Sequence, residues 1–374
     1  MTNDQSNSKN STIANSSGSP SGTANNNTNV TMLFPKPSLQ IVIVLYNSGP
    51  DLDFCLESLV RSLITTKIAN TETPVNLSSQ DSNSSVVNNY QGSHYILDKV
   101  TVMDNTPENP PNLDPWRTRL PIDYVASATN LGFGKACNQG AKRSQSEYIL
   151  FLNPDCFVSP SAIDTALLHL SKPVHSTTAV TSVLLKSMTG EVQKTCARRP
   201  TLKMFINESL GLDRMGWSRN NPHFVSHHMR EWHHKESKFV DHVIGAFYLI
   251  RRSVFESLQG FDERFFVYLE DLDLSLRVHQ AGHQIYFLTN DYAIHKGGGS
   301  SESVKAFRLC LSLESKIKYA DKHFPRWQKW LLTLVIFTFE FLLRIAYSLK
   351  TDPSRKSYHE TLQAYKMLWQ RRKL

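Results

Sequence analysis

Three carboxylates, Glu270, Asp271 and Asp273, crowd the start of the apolar stretch FVYLEDLDLSLRVHQAG, residues 266–282. At helical spacing Glu270 and Asp273 are i,i+3 neighbours, and Arg277 follows Asp273 by four, where it can hold that carboxylate. Asp271 points to another sector, free to meet a substrate, while Leu272 with Leu276 and Leu274 with Val278 anchor the helix. A rigidly presented carboxylate suits general-base chemistry, and the positive end of the helix macrodipole stabilises its charge. Solvated helices also carry acidic first turns, so the residues alone leave both readings open.

The elements that must position such a group alternate strand and helix. LQIVIVLYNSG (39–49) is a continuous β-branched run ending in turn residues, as a buried parallel strand is. DLDFCLESLVRSL (51–63) then repeats leucine at helical spacing. KVTVMDN (99–105), IDYVAS (122–127) and EYILFLNPD (147–155) continue the pattern, with a helix opening in NLGFGKACNQGAKRS (130–144). This order predicts an α/β fold with a doubly wound, mostly parallel sheet, whose ligands bind at the carboxyl ends of the strands.

The residues at those ends share a chemistry. Tyr46 and Asn47, Asp104 and Asn105, Asn130, and then Asn153 to Asp155 follow successive strands. Asp104 can accept from a nucleobase N–H or a ribose hydroxyl; a plain turn residue looks the same. Gly132, Gly134 and Gly140 surround a helix start, which lets backbone N–H groups approach a phosphate beside the cation Lys135, although the spacing is not GxGxxG. Asn153 and Asp155 flank Pro154, a turn suited to a hard divalent cation and equally to an exposed proline turn.

With 374 residues, 40% of them hydrophobic, the chain can bury one large core or two modest ones. Five scattered cysteines without a CxxC pair fit reduced thiols and argue against a disulfide scaffold or a structural zinc site. Residues 1–38 have the Asn/Ser/Thr composition of a disordered segment with no secretory signal, and about 68–95 reads as a mobile insertion. The net charge of +8 suggests nucleic acid until it is located: residues 326–374 hold ten Lys/Arg against three acids, and the rest is nearly balanced. The same tail carries WLLTLVIFTFEFLLRIAYSL (330–349), in which Glu340 and Arg344 can pair at i,i+4. A helix at the membrane surface is the expectation, with a true span and a helix packed on the domain as alternatives. The histidine-rich HFVSHHMREWHH (223–234) lacks zincin spacing and reads as acceptor-side surface or mobile loop within about 200–240.

Together IVIVLYNSG, VTVMDNT, NLGFGKACNQG, FLNPD, GAFYLIRRSVFESLQGFDERFFVYLEDLDLSLRVHQAG and HKGGGS resemble family 2 inverting glycosyltransferases of the GT-A fold. The similarity is greatest to the rhamnosyltransferase-like branch that builds cell-surface polysaccharides, and it runs in order over residues 39–300, leaving 301–374 as a C-terminal membrane-associating segment. Gln259 stands where the family usually has glycine, and Asn153 where its metal motif begins with aspartate. His323 in HFPRW replaces the glutamine of the processive synthases, which speaks against polymerisation.

The resemblance implies that Asp271 is the catalytic base. It implies that Asp155 and His295 hold Mn²⁺ or Mg²⁺, with the glycines after His295 reaching the phosphates. Tyr46, Asn47, Asp104, Asn105, Asn130, Gly132, Gly134, Lys135, Asn138 and Asn153 would bind the nucleotide sugar; Gly245, Glu270, Asp273 and Arg277 would position acceptor and sugar. The expected protein is a cytoplasmic enzyme, peripheral on the inner face of the cell membrane. It moves rhamnose or another hexose from dTDP-rhamnose or a UDP-sugar to a lipid-linked glycan, and has no nucleic-acid partner. A sugar-nucleotide pyrophosphorylase is disfavoured because YNSGPDLD is acidic where that class needs a basic Gly-rich turn. A non-catalytic scaffold of a polysaccharide assembly complex is the other alternative.

Overall fold

The alternation read from the sequence is present as a nine-stranded mixed sheet with helices on both faces. The computed structural model describes residues 36–47, 50–69, 94–215, 221, 223–297 and 305–371. The N-terminal segment through residue 35, residues 70–93 of the insertion, Gly298 and Gly299, and the last three residues lie outside them.

Strand β1 (Ser38–Leu45) leads through α1 (Asp51–Ala69) to β2 (Ile96–Asp104), then α2 (Asp114–Arg117), β3 (Ile122–Ala126), α3 (Phe133–Ala141) and β4 (Tyr148–Leu152). A short β5 (Cys156–Val158) precedes α4 (Ala162–Ser171) and β6 (Thr178–Lys186). Next come β7 (Cys196–Ala197), α5 (Leu202–Ser209), β8 (Lys238–Val240), β9 (His242–Val243), β10 (Phe247–Arg251) and α6 (Arg252–Ser257). The acidic helix is α7 (Glu270–Gln280), and β11 (Gln284–His295) follows it. Helices α8 (Lys305–His323), α9 (Arg326–Val335), α10 (Phe341–Thr351) and α11 (Lys356–Arg371) complete the chain.

The sheet order is β3-β2-β1-β4-β10-β6-β11-β5, with β8 also paired to β11. Strands β1 to β4 run parallel; β10 is antiparallel to both its neighbours, and β5 and β8 are antiparallel to β11. The period-two alternation of β1 shows why both faces need cover. Leu39, Ile41, Ile43 and Leu45 join the core under α1 and α4, while Val42 and Val44 join the one under α3, α6 and α7.

Helix α7 is shared between two cores, which fixes its rotation. Leu274 and Val278 face the sheet, and Leu272 and Leu276 face a third cluster built with α5, α8, α9 and α11. All five cysteines are free and buried among such packing.

Helices α9 and α10 run on through a π-helical stretch, Ile336–Glu340, as one 26-residue helix, Arg326–Thr351, long and apolar enough by length and composition to cross a membrane. Leu332, Val335 and Ile336 pack on the domain, whereas Leu334, Leu342, Tyr347 and Trp330, 70% exposed, form an uncovered apolar face. Both Nε and Nη2 of Arg344 donate to Glu340 Oε1, at 3.0 and 2.7 Å, so the two charges inside the apolar run neutralise each other.

Candidate active site

The carboxyl ends of β2, β1 and β4 are neighbours in the sheet, and they bring the expected residues to one edge. Asp104 is buried at the tip of β2. Its Oδ1 accepts from Thr106 N (2.8 Å) and its Oδ2 from the Tyr124 hydroxyl (2.8 Å). Thr106 Oγ1 in turn accepts from Asn47 N (3.1 Å), tying the end of β1 to that of β2. Asn105 spends its whole amide on the next loop, accepting from Leu131 N (3.2 Å) and donating to Gly132 O (3.1 Å).

One strand further along, Asp155 and His295 meet. Asp155 Oδ1 lies 3.5 Å from His295 Nε2, and Asp155 Oδ2 accepts from Gly297 N at 2.9 Å. Burial would raise this carboxyl, yet His295 and the Gly297 N–H outweigh it and hold Asp155 below the usual range, ionised. Gln193 settles the imidazole. Its Nε2 donates to the His295 carbonyl (2.7 Å), so its Oε1 must accept from His295 Nδ1 (3.0 Å). Nδ1 therefore carries a proton, and Nε2 is aimed at Asp155 and at the Asn153 amide, each at 3.5 Å. An ionised carboxylate beside an imidazole oriented through its other nitrogen is a donor set that fits a divalent cation.

The link to Asp271 is a short chain of hydrogen bonds. Asn153 N donates to Ala246 O (3.0 Å), and the adjacent Gly245 N donates to Asp271 Oδ2 (2.8 Å). The other oxygen of Asp271 accepts from Leu272 N (2.8 Å), and 17% of the side chain is exposed. His242 Nε2 stands 3.9 Å from Oδ2, with its Nδ1 bonded to Ser275 Oγ at 2.9 Å. Burial pushes His242 down to about 4, so a neutral ring adjoins the carboxylate and does not cancel its charge. The turn that delivers α7 is strained: Tyr268 and Leu269 both take positive φ, 70° and 64°, each costing about 1 kcal/mol or more.

Several expectations are corrected. The glycines near α3 serve packing rather than phosphate approach. A Cβ on Gly132 (φ 77°) would lie 2.1 Å from Phe266 O, Gly134 abuts Phe261 and Glu270, and Gly140 abuts Val42. The N–H groups of Gly132 and Phe133 are taken by Asn130 Oδ1 and Phe266 O, both at 2.9 Å. Lys135 faces Glu263 at 3.9 Å, and Asn138 is buried, clamping the turn at Phe261 through its N–H (2.8 Å) and carbonyl (2.9 Å). Within α7, Glu270 is only 5% exposed and Asp273 is 0% exposed, so neither reaches an acceptor. Burial and the neighbouring Asp271 raise the Glu270 carboxyl well above its usual range. Asp273 instead gathers Arg277 Nε (2.8 Å), Lys322 Nζ (2.6 Å) and His323 Nε2 (2.7 Å), which fasten α8 to α7. Arg277 is thereby committed to Asp273 and to Leu258 O (2.8 Å).

Gln193, Tyr124 and His242 are neighbours of the candidate site that the sequence reading missed. Nothing local marks Gln193, which meets His295 across 102 residues. His242 stands three residues before Gly245, the only signal it carries.

Residues 40–258 match the family model described as Glycosyl transferase family 2, and residues 214–371 match Glycosyl transferase family group 2. Among curated proteins, the chain is 26% identical over 303 residues to N-acetylglucosaminyl-diphospho-decaprenol L-rhamnosyltransferase of Mycobacterium tuberculosis, covering 78% of this chain and 86% of that protein. It is 27% identical over 209 residues to rhamnosyltransferase WbbL of Escherichia coli, covering 53% of this chain and 73% of the other. A crystal structure of S. aureus TarS 1-349 in complex with UDP-GlcNAc aligns at 14% identity over 87% of this chain and 81% of that one, with a TM-score of 0.47. With the first family model spanning more than half of its length, the chain belongs to glycosyl transferase family 2.

Proposed function

We propose that this glycosyltransferase moves rhamnose, with inversion at the anomeric carbon, from dTDP-rhamnose to a lipid-linked glycan acceptor in cell-surface polysaccharide synthesis. The observation that carries the reading is the shared edge: Asp104 ends β2, the Asp155 and His295 pair follows β4 on the same edge, and Asp271 reaches that loop through Gly245 and the Ala246 to Asn153 hydrogen bond. Tyr46 and Asn47 at the end of β1 would meet the nucleoside, with Asp104, buried behind them, holding Thr106 and Tyr124 in position. Asp155 and His295 would hold Mn²⁺ or Mg²⁺. When bound, that ion neutralises charge on the departing diphosphate. Asp271 takes the proton from the attacking acceptor hydroxyl, and Gly245 N–H and Leu272 N–H hold its two oxygens so that the base is aimed rather than mobile.

The names of the curated relatives support the sugar and the lipid-linked acceptor. A cavity of about 790 Å³ in the acceptor-side region is lined by Lys194, Arg214 and Arg230 with Asp213 and Glu231; its lining is net positive, which suits an anionic acceptor, with Arg230 itself paired to Asp213 at 3.0 Å. The test is release of nucleoside diphosphate from dTDP-rhamnose and from UDP-sugars, with a short-chain prenyl-diphospho-GlcNAc acceptor, with and without Mn²⁺ or Mg²⁺. Acceptor-dependent release from dTDP-rhamnose is expected; release from a UDP-sugar alone, or none from any donor, would sink this assignment.

The uncovered face of Arg326–Thr351 supports a cytoplasmic enzyme held on the inner leaflet. Its exposed Trp327, Trp330, Leu334 and Leu342 are flanked by Arg326, Lys329, Lys350, Arg355 and Lys356. Apolar area and basic charge together favour an anionic bilayer, with about 1 kcal/mol per basic residue near the surface. Cosedimentation with phosphatidylglycerol vesicles should fall at least tenfold in affinity on Trp330→Ser with Leu334→Ser. Equal binding of that double variant would place the attachment elsewhere.

A further inference from the structure

We propose that Glu208, His227 and His228 form a zinc site that staples α5 to the histidine-rich segment 223–234, separate from the donor-side pair Asp155 and His295. One ligand atom from each of the three residues lies within 4.8 Å of the others. Glu208 Oε1 accepts from His227 Nδ1 in a short hydrogen bond and from His227 N at 3.1 Å. His228 lies against His227, with ring centroids 3.9 Å apart and planes tilted by 36°. Two imidazoles and a carboxylate are the ligand set of open tetrahedral zinc sites, and imidazole selects zinc over the magnesium that suits all-oxygen sites.

The fit needs little motion. With zinc to ligand distances of about 2.0–2.2 Å, tetrahedral ligand atoms stand roughly 3.3 Å apart. The three ligand atoms therefore need only side-chain adjustments to surround an ion, as the metal takes the place of the proton on His227 Nδ1. The surroundings are already ordered for it. Asn207, adjacent on α5, donates Nδ2 to His223 O at 3.0 Å and to Val225 O at 3.4 Å, pinning the same segment. Phe205 packs edge-on against the His227 ring at 5.5 Å. Lys316 stands 3.4 Å from Glu208 Oε2, the oxygen that the proposed ion does not use, and orients the carboxylate. His228 is exposed and also lines the 790 Å³ cavity, so the ion would set one wall of it.

The purified full chain is stripped with a chelator, supplied with Zn²⁺ in excess Mg²⁺, desalted and analysed for metal. About one zinc per chain is expected, with a rise in Tm that zinc-free protein lacks. His228→Ala, at an exposed position, should keep the fold and lose the zinc and the rise in Tm; Glu208→Gln should lose it likewise. Asp155→Asn should retain it. Co²⁺ in place of Zn²⁺ should give the intense visible absorption of a tetrahedral site in the wild type and not in His228→Ala. Wild-type protein without zinc overturns the proposal. So does zinc that survives His228→Ala, or that Asp155→Asn alone removes, since the metal would then sit elsewhere.

Discussion

Asp271→Asn lowers turnover by about 10³-fold or more, within the range for removing a positioned general base, while the protein stays folded. The asparagine has the same shape, and Gly245 N–H and Leu272 N–H still meet an oxygen at one of the two positions. At the other, an amide NH₂ faces an N–H, a mismatch that costs about 1–3 kcal/mol. The variant should therefore melt slightly early yet bind donor, and the loss should fall on kcat with little change in KM for the sugar nucleotide. Tm, donor affinity and rate measured together separate these effects. Glycan output equal to wild type would remove Asp271 from the chemistry and favour the scaffold reading.

Asp273→Ala produces the largest loss of stability, about 3 kcal/mol or more in urea denaturation, because it strands charges that were paired in the interior. The side chain is fully buried, and Arg277 and Lys322, 15% and 20% exposed, converge on it together with His323. Their partial exposure keeps the expectation at the lower end of the range for broken buried pairs. The loss has a pH signature. Burial raises the Asp273 carboxyl, but the bond from His323 and the charges of Arg277 and Lys322 outweigh it, and the group is lowered in the folded state. A lowered carboxylate contributes stability that is present above its unfolded value of about 4 and lost as pH falls through the folded value. The gap between wild type and Asp273→Asn should therefore narrow below about pH 4. A gap independent of pH would show that Asp273 contributes by packing alone.

The same helix shows what was legible in advance. Period and residue type determined that α7 exists, that Leu272 with Leu276 and Leu274 with Val278 form two anchoring rows, and that Arg277 reaches Asp273. These are contacts within one or two turns, where helical geometry leaves few choices. The strands were legible for the same reason: β1 carries the run Ile41 to Val44 between leucines, an apolar pattern that suits a strand covered on both faces. The order of the strand ends followed, and with it the grouping of Asp104, Asp155 and His295 at one edge.

Only the tertiary structure decided which way the polar groups turn. Helical spacing set Asp271 apart from Glu270 and Asp273 but not which sector is buried; those two face inward, toward α3 and α8, and Asp271 faces the cleft, because burying Leu272 and Leu274 against different cores leaves a single rotation of α7. Glycines that could have received a phosphate receive instead the Phe266 carbonyl and neighbouring side chains, since how closely α3 approaches the loop before α7 is a property of the whole sheet. Gln193 with His295, and Glu208 with His227, meet across 102 and 19 residues through sheet register and helix docking. Local composition carries no record of such distances, so the sequence determined the elements and the chemistry at their ends, and the packing of those elements determined which side chains share a site.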